Sequence, residues 1–99
     1  MRIISRKALR QFWERPQYAD SEQPLRAWFR EASRADWKSP AEIKAAYRSA
    51  SLVGNDRAVF NIAGNKYRLV VRVNYHYRVI YIRFVGTHRQ YNRINVKEV

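Results

Sequence analysis

The 99-residue chain has no cysteine. That excludes a disulfide scaffold, a thiol nucleophile and cysteine-bound zinc, and it makes a reduced, intracellular setting the default expectation. Glycine and proline are scarce, three of each. No glycine-rich phosphate loop is present, which argues against nucleotide-dependent chemistry. No apolar run approaches the roughly 18 residues of a membrane span. Met1-Arg2-Ile3-Ile4 gives way at once to Ser5, Arg6 and Lys7, too short a stretch for a signal-peptide core. A cytoplasmic protein with no membrane partner is the expectation. Acidic side chains are also few: eight Asp and Glu stand against twenty Lys and Arg, for a net charge of +12.

Fifteen of the twenty basic residues are arginine, whose planar fork suits phosphate. So large a charge on one small domain implies an anionic partner, nucleic acid being the usual one. The alternative is that the excess charge serves solubility. The charge is uneven. Residues 1–50 carry eleven basic and six acidic side chains, and residues 51–99 carry nine and two. Between Asp56 and Glu98 there is no carboxylate, while that span holds Arg57, Lys66, Arg68, Arg72, Arg78, Arg83, Arg89, Arg93 and Lys97. The functional surface is expected there.

Hydrophobic content of 46% with 14% aromatics is enough for one core over residues 1–99 and argues against disorder. The spacing predicts a helical front half. Residues 1–4 read as a short edge strand. Ser5 caps a helix ending before Pro16, with Leu9, Phe12 and Trp13 inward. Asp20-Ser21-Glu22-Gln23 resembles a capping box opening a helix with Leu25, Trp28, Phe29 and Ala32 on one stripe. Arg26, Arg30 and Arg34 lie on another stripe and read as a solvated face. Ser39-Pro40-Ala41-Glu42 starts a third helix whose inner face is Ile43, Ala46 and Tyr47.

Gly54-Asn55-Asp56 signals a turn, after which the period changes to two. Ala58, Phe60 and Ile62 alternate with Arg57, Val59 and Asn61, and a tight turn at Ala63-Gly64-Asn65 follows. Tyr67, Leu69, Val71, Val73 and Tyr75 form the inner face of a second strand, with Lys66, Arg68, Val70, Arg72 and Asn74 opposite. Residues 78–85 read as a third strand ended by Gly86. Thr87-His88-Arg89-Gln90 has a capping-box pattern that opens a short helix or turn through Ile94. The fold class is α+β: a small antiparallel sheet, one face packed on N-terminal helices and the other presenting cations.

Metal catalysis and a paired-carboxylate hydrolase lack residues: two histidines twelve apart, no cysteine, and no carboxylate in the basic span. No cofactor is expected. What remains is chemistry on a phosphodiester by His, Arg, Lys and Tyr. RNA cleaves when its 2′-OH attacks the adjacent phosphorus. A histidine moves the proton, Arg or Lys stabilises the developing charge, and Tyr stacks or hydrogen-bonds. His88, Arg68, Lys66 and Tyr91 are the right types. Arg72, Arg89, Arg83 and Arg57 are candidates for RNA positioning. Each has a plainer role open to it. Arg68 suits a solvated strand face, His88 a helix start, Tyr91 a packed C-terminal turn, and His76 an exposed turn between tyrosines.

The segment Val59-Phe60-Asn61-Ile62-Ala63-Gly64-Asn65-Lys66-Tyr67-Arg68-Leu69-Val70-Val71, together with Val85-Gly86-Thr87-His88-Arg89-Gln90-Tyr91, closely resembles the HigB toxins of bacterial type II toxin–antitoxin modules, in the RelE-like group. Met1 to Leu9 is similar to that family's start. The resemblance implies a small sheet with N-terminal helices and an mRNA endonuclease acting on translated message in the ribosomal A site. It implies as partners the ribosome and a HigA-type antitoxin with a helix-turn-helix domain, through which alone operator DNA is bound. By the same resemblance, Arg68 stands where the group's strand arginine contacts the scissile phosphate. Lys66 lies in the matching Gly-Asn-Lys stretch, and His88 and Tyr91 match the Thr-His…Tyr element. Relatives that use a glutamate base have no counterpart here, because no glutamate lies between residues 57 and 97. Two other readings stay open: a non-catalytic RNA- or ribosome-binding module, and a regulatory subunit of a helix-turn-helix protein.

Overall fold

The computed structural model describes residues 1–54 and 56–99; the turn expected at 54–56 includes Asn55, which lies outside the described residues. The apolar periods become elements nearly where the spacing puts them. Strand β1 (Arg2–Ile4) leads into α1 (Arg6–Trp13), which buries Leu9, Phe12 and Trp13. Ser5 holds the extended backbone of an N-cap, yet its side chain makes no capping bond.

The expected capping box at residues 20–23 does not form. Pro16–Ser21 is a 3₁₀ helix that runs directly into α2 (Glu22–Arg34). Ser21 is fully buried, and its hydroxyl donates back to the Tyr18 carbonyl at 2.7 Å. Because the 3₁₀ turn already supplies carbonyls for the first amides of α2, a side-chain cap has nothing left to satisfy. That leaves the Asp20 carboxylate free to act elsewhere. Helix α3 (Pro40–Ala46) starts after Ser39 as expected and buries Ile43. Ala46 is exposed, however, and Ala50 is buried instead. The helix ends at Ala46 and Tyr47 is extended (φ −130°), so the helical period no longer applies beyond it.

Five strands form one sheet in the order β1-β5-β4-β3-β2. Strands β3 (Arg57–Ile62), β4 (Tyr67–Asn74) and β5 (Val79–Thr87) make the expected antiparallel body. Two edge features alter it. β2 (Ser51–Val53) adds antiparallel to β3 and was not foreseen, since three residues are too few to show alternation. β1 is the edge strand expected, and it pairs parallel to β5, so the sheet is mixed rather than wholly antiparallel as expected. The α-amino group of Met1, just before it, donates to the carbonyls of Ser33 and Ala35 in and just after α2.

The helices cover one face of the sheet. Phe60 is the centre of that core, with the rings of Tyr47, Trp28 and Trp37 at 5.1, 5.3 and 6.3 Å. Such aromatic pairs add about 0.5–1.5 kcal/mol each beyond their area. The opposite face departs from the expected solvated surface. Val59 and Val70 share it with Arg68 by register, and they are 1% and 0% exposed. The chain after β5 returns to this side: Arg57 donates to the main-chain oxygen of Val99 at 3.0 Å. Among the described residues no helix is long and apolar enough to cross a membrane.

Candidate active site

Three side chains expected to share chemistry converge at one end of β4. Arg68 sits one residue inside the strand, directly opposite Gly86. Gly86 does not end β5 as its identity suggested; it is a paired, buried strand residue. A Cβ there would lie 2.6 Å from both Gln90 Oε1 and Phe84 Cζ. The missing side chain is what lets Gln90 lie across the strand.

Gln90 builds the next element. Helix α4 (His88–Tyr91) opens on a complete capping box. Thr87 Oγ1 accepts from Gln90 N at 3.2 Å, and Gln90 Oε1 accepts from Thr87 N at 2.9 Å. Gln90 Nε2 also donates to the Tyr18 hydroxyl at 3.1 Å. Tyr18 in turn stacks on Phe12 at 4.3 Å. A one-turn helix is too short to hold itself; this one is tied to the helical layer through its own cap residue. The turn continues past α4 to Ile94 through main-chain bonds, as expected.

The box fixes His88 and Tyr91 at i and i+3, on one side of α4. Arg68 Nε lies 3.3 Å from His88 Nε2. The Arg68 guanidinium carbon sits 5.3 Å from the centre of the Tyr91 ring, within cation–π range. His88 Nε2 is also 3.1 Å from Asn65 Oδ1 in the turn between β3 and β4. In that turn Ala63 and Gly64 both have positive φ, 56° and 71°. The left-handed pair closes the hairpin tightly, and Asn65 follows it. Sequence reasoning took Asn65 only as a turn residue. Its contact with His88 spans 23 residues, and no local pattern encodes such a pair.

Lys66 is not brought into this cluster. Its ammonium is bonded to Asp20 in the 3₁₀ helix, and the same carboxylate accepts the hydroxyl of the buried Tyr67. The hydrogen bonds from Lys66 and Tyr67 hold the Asp20 carboxyl below its ordinary range. Asp20 in turn raises the Lys66 ammonium. Both partners are half exposed, so the pair is a weak surface ion pair that another anion can displace.

The remaining cations divide by position. Arg72 and Arg57 face each other across β4 and β3, and both pair with Asp56, at 2.9 and 2.8 Å. Desolvation would raise that carboxyl, but the two arginines outweigh it and hold it low. Arg72 lies four strand residues from Arg68, roughly 13 Å along the sheet. Arg57 is mostly buried and holds the chain at Val99. Both therefore stand apart from the cluster. Arg83 is exposed at the β-bulge that shifts the β4–β5 register, and Arg89 is exposed on α4. Either is open to an extended anion. Among the described residues, no three His, Cys, Asp or Glu side chains gather as metal ligands.

The arrangement can do acid–base work at one imidazole beside a fixed cation. Comparison with known proteins gives it a setting. Residues 21–94 match the HigB toxin family, described as the RelE-like toxic component of a toxin–antitoxin system. The chain is 31% identical over 94 residues to an mRNA interferase toxin HigB of Escherichia coli strain K12, covering 93% of this chain and 88% of that protein. It is similar to the same extent to an mRNA interferase HigB of Shigella flexneri.

Proposed function

Because the chain belongs to the HigB toxin family, we propose that it is an mRNA interferase, cutting message as it is translated in the ribosomal A site. The observation that carries this reading is the convergence of Arg68, His88 and Tyr91 within the carboxylate-free span between Asp56 and Glu98 of a +12 chain. A binding module has no need of an imidazole held against a guanidinium.

In this reading His88 Nε2 removes the proton from a ribose 2′-OH. The 2′-oxygen forms a bond to the adjacent phosphorus and the P–O5′ bond breaks. The fragments carry a 2′,3′-cyclic phosphate and, after protonation, a 5′-hydroxyl. Arg68 stabilises the charge that builds on the non-bridging oxygens, where a preorganised donor acts in the transition state. Tyr91 orients the nucleotide and backs the Arg68 guanidinium. Lys66 reaches the phosphate by exchanging Asp20 for it. Arg83 and Arg89 hold flanking phosphates, while Arg57 and Arg72 add to the field from their places on Asp56. No metal or cofactor enters, since proton transfer and charge stabilisation are both met by side chains.

The partners follow from the family. An antitoxin neutralises the toxin. We assign it to the HigA type, with a helix-turn-helix domain that brings the complex to operator DNA. The cytoplasm, where translated message is found, is the site of action.

The test is induction of the chain and of His88→Ala and Arg68→Lys, with new mRNA 5′ ends mapped across reading frames. The parent gives in-frame cuts that depend on translation. His88→Ala reduces cutting by about 10²–10⁴-fold, the range of a positioned acid–base group. Arg68→Lys also loses activity, because a lysine cannot both fork onto phosphate and lie flat on Tyr91. Growth arrest without cuts would overturn the reading in favour of a ribosome-binding inhibitor.

A further inference from the structure

His88 Nε2 has two neighbours that make opposite demands on it. The Arg68 guanidinium is only ever a donor, so its contact at 3.3 Å needs the Nε2 lone pair. That pair is present in the neutral imidazole with its proton on Nδ1. The Asn65 Oδ1 contact at 3.1 Å needs a proton on Nε2. One nitrogen cannot serve both at once.

We propose that Asn65 is the positioning residue of the site: it accepts the Nε2–H of His88 when the imidazole gains a proton, and Arg68 is thereby released to the phosphate. The inference rests on the interferase reading above. Before the reaction, Arg68 holds the neutral ring with Nε2 aimed out from α4. The 2′-OH proton displaces the Arg68 N–H from the Nε2 lone pair as the 2′-oxygen bonds to phosphorus. The lone pair that held Arg68 is then gone. Nε2–H turns to Asn65, and the Arg68 Nε–H turns to a non-bridging oxygen just as that oxygen gains charge. The 5′-oxygen leaves with its electron pair and is protonated by water, and His88 later returns its proton to solvent. Proton uptake and charge stabilisation are thus one exchange of partners at one nitrogen.

The groups around His88 leave this exchange to Asn65. β4 contributes Arg68. α4 itself carries Tyr91 and Arg89. The turn contributes Asn65 and Lys66, and the 3₁₀ helix offers Asp20, which is committed to Lys66 and Tyr67. Arg68 is therefore the cation in contact with the imidazole, and the neutral Asn65 oxygen is the acceptor bonded to it.

The test follows the two imidazoles by NMR as pH is varied, in the purified full chain and in Asn65→Asp, Asn65→Ala and His88→Ala, the last to assign the signal. Exposed His76, at the far turn, is the internal reference. A carboxylate in place of the Asn65 amide holds Nε2–H, so Asn65→Asp raises the His88 midpoint by about one pH unit or more. Asn65→Ala lowers it, and His76 does not move. In RNA cleavage the acidic limb of the rate profile of Asn65→Asp rises with the NMR midpoint. An unchanged His88 midpoint in Asn65→Asp overturns the proposal, whatever happens to activity. Asn65 is exposed and Asn65→Asp is isosteric, so that variant decides the matter even where Asn65→Ala does not fold. Midpoints that move as stated in a chain that cuts no RNA would leave Asn65 in its role and remove the interferase reading.

Discussion

Asp20 shows how one side chain can join two layers. The sequence placed it in a capping box; the structure gives it to Lys66 and Tyr67 on β4. The sign of its pH effect follows from its depressed carboxyl. Its contribution to stability is present above the ordinary value of 3.8 and is lost as pH falls through the lower folded value. The raised Lys66 ammonium works the other way: its share is present below 10.5 and lost as pH rises through the folded value. Asp20→Asn is therefore expected to lower the thermal midpoint at pH 7. The gap between parent and variant closes as pH is taken well below 3.8, and scanning calorimetry at several pH values checks this. A gap that is constant across that range would mean the charge of Asp20 contributes nothing. The candidate residues were legible one at a time as types that suit phosphodiester chemistry in a carboxylate-free span. Asn65, Asp20 and Tyr18 were not, because their partners lie 23, 46 and 72 residues away. Spacing arguments reach about one turn or one strand pair.

At the scale of elements, the long periodic segments were readable, as were the short β1, α3 and α4, whereas β2 and the 3₁₀ helix were not. α1, α2, β3 and β4 each bury enough apolar side chains to impose their period. β2 has three residues and the 3₁₀ helix has none of the 3.6-residue stripe, so neither leaves a pattern. The direction of β1 is set by what α2 and β5 offer it. The cap of α4 was legible because it is local, Thr87 to Gln90. Its dependence on Gly86 was not: a glycine in a strand reads as an ending, yet here it clears space for a cap. Gly86→Ala tests that role. The two atoms a Cβ would meet are side-chain ends, so the strand itself need not move. Gln90 must swing away instead, giving up its bonds to Thr87 and Tyr18. A loss of about 0.5–2 kcal/mol, the usual worth of a helix cap, is expected in denaturant unfolding. Cleavage activity should fall further than that loss of stability explains, since His88 and Tyr91 ride on the cap. Full activity in a destabilised Gly86→Ala chain would dissociate the cap from the site.

The molecule as a whole measures 37 × 26 × 22 Å, a few times the roughly 8 Å Debye length at physiological salt. Charges on one side are thus largely screened from the other. The field at Arg68 is set by its own spatial neighbourhood rather than by the net +12. Binding of a single-stranded RNA oligonucleotide should then weaken steeply with salt. If Lys66, Arg68, Arg83 and Arg89 each neutralise one phosphate, the slope of log K against log salt is about −3. A slope shallower than about −1 would show that this surface is not an RNA track. The sheet's own geometry keeps such a cationic chain apart from its copies: both edges, β1 and β2, are only three residues long, too short to template strand addition.

The order of the site residues along the chain has one more consequence. Asn65 and Arg68 are made before β5, and His88 and Tyr91 only after it. A growing polypeptide therefore carries Asn65 and Arg68 well before it carries the residues they contact, His88 and Tyr91. Until residue 91 has cleared the machinery that makes it, Arg68 has neither the imidazole of His88 nor the ring of Tyr91 beside it.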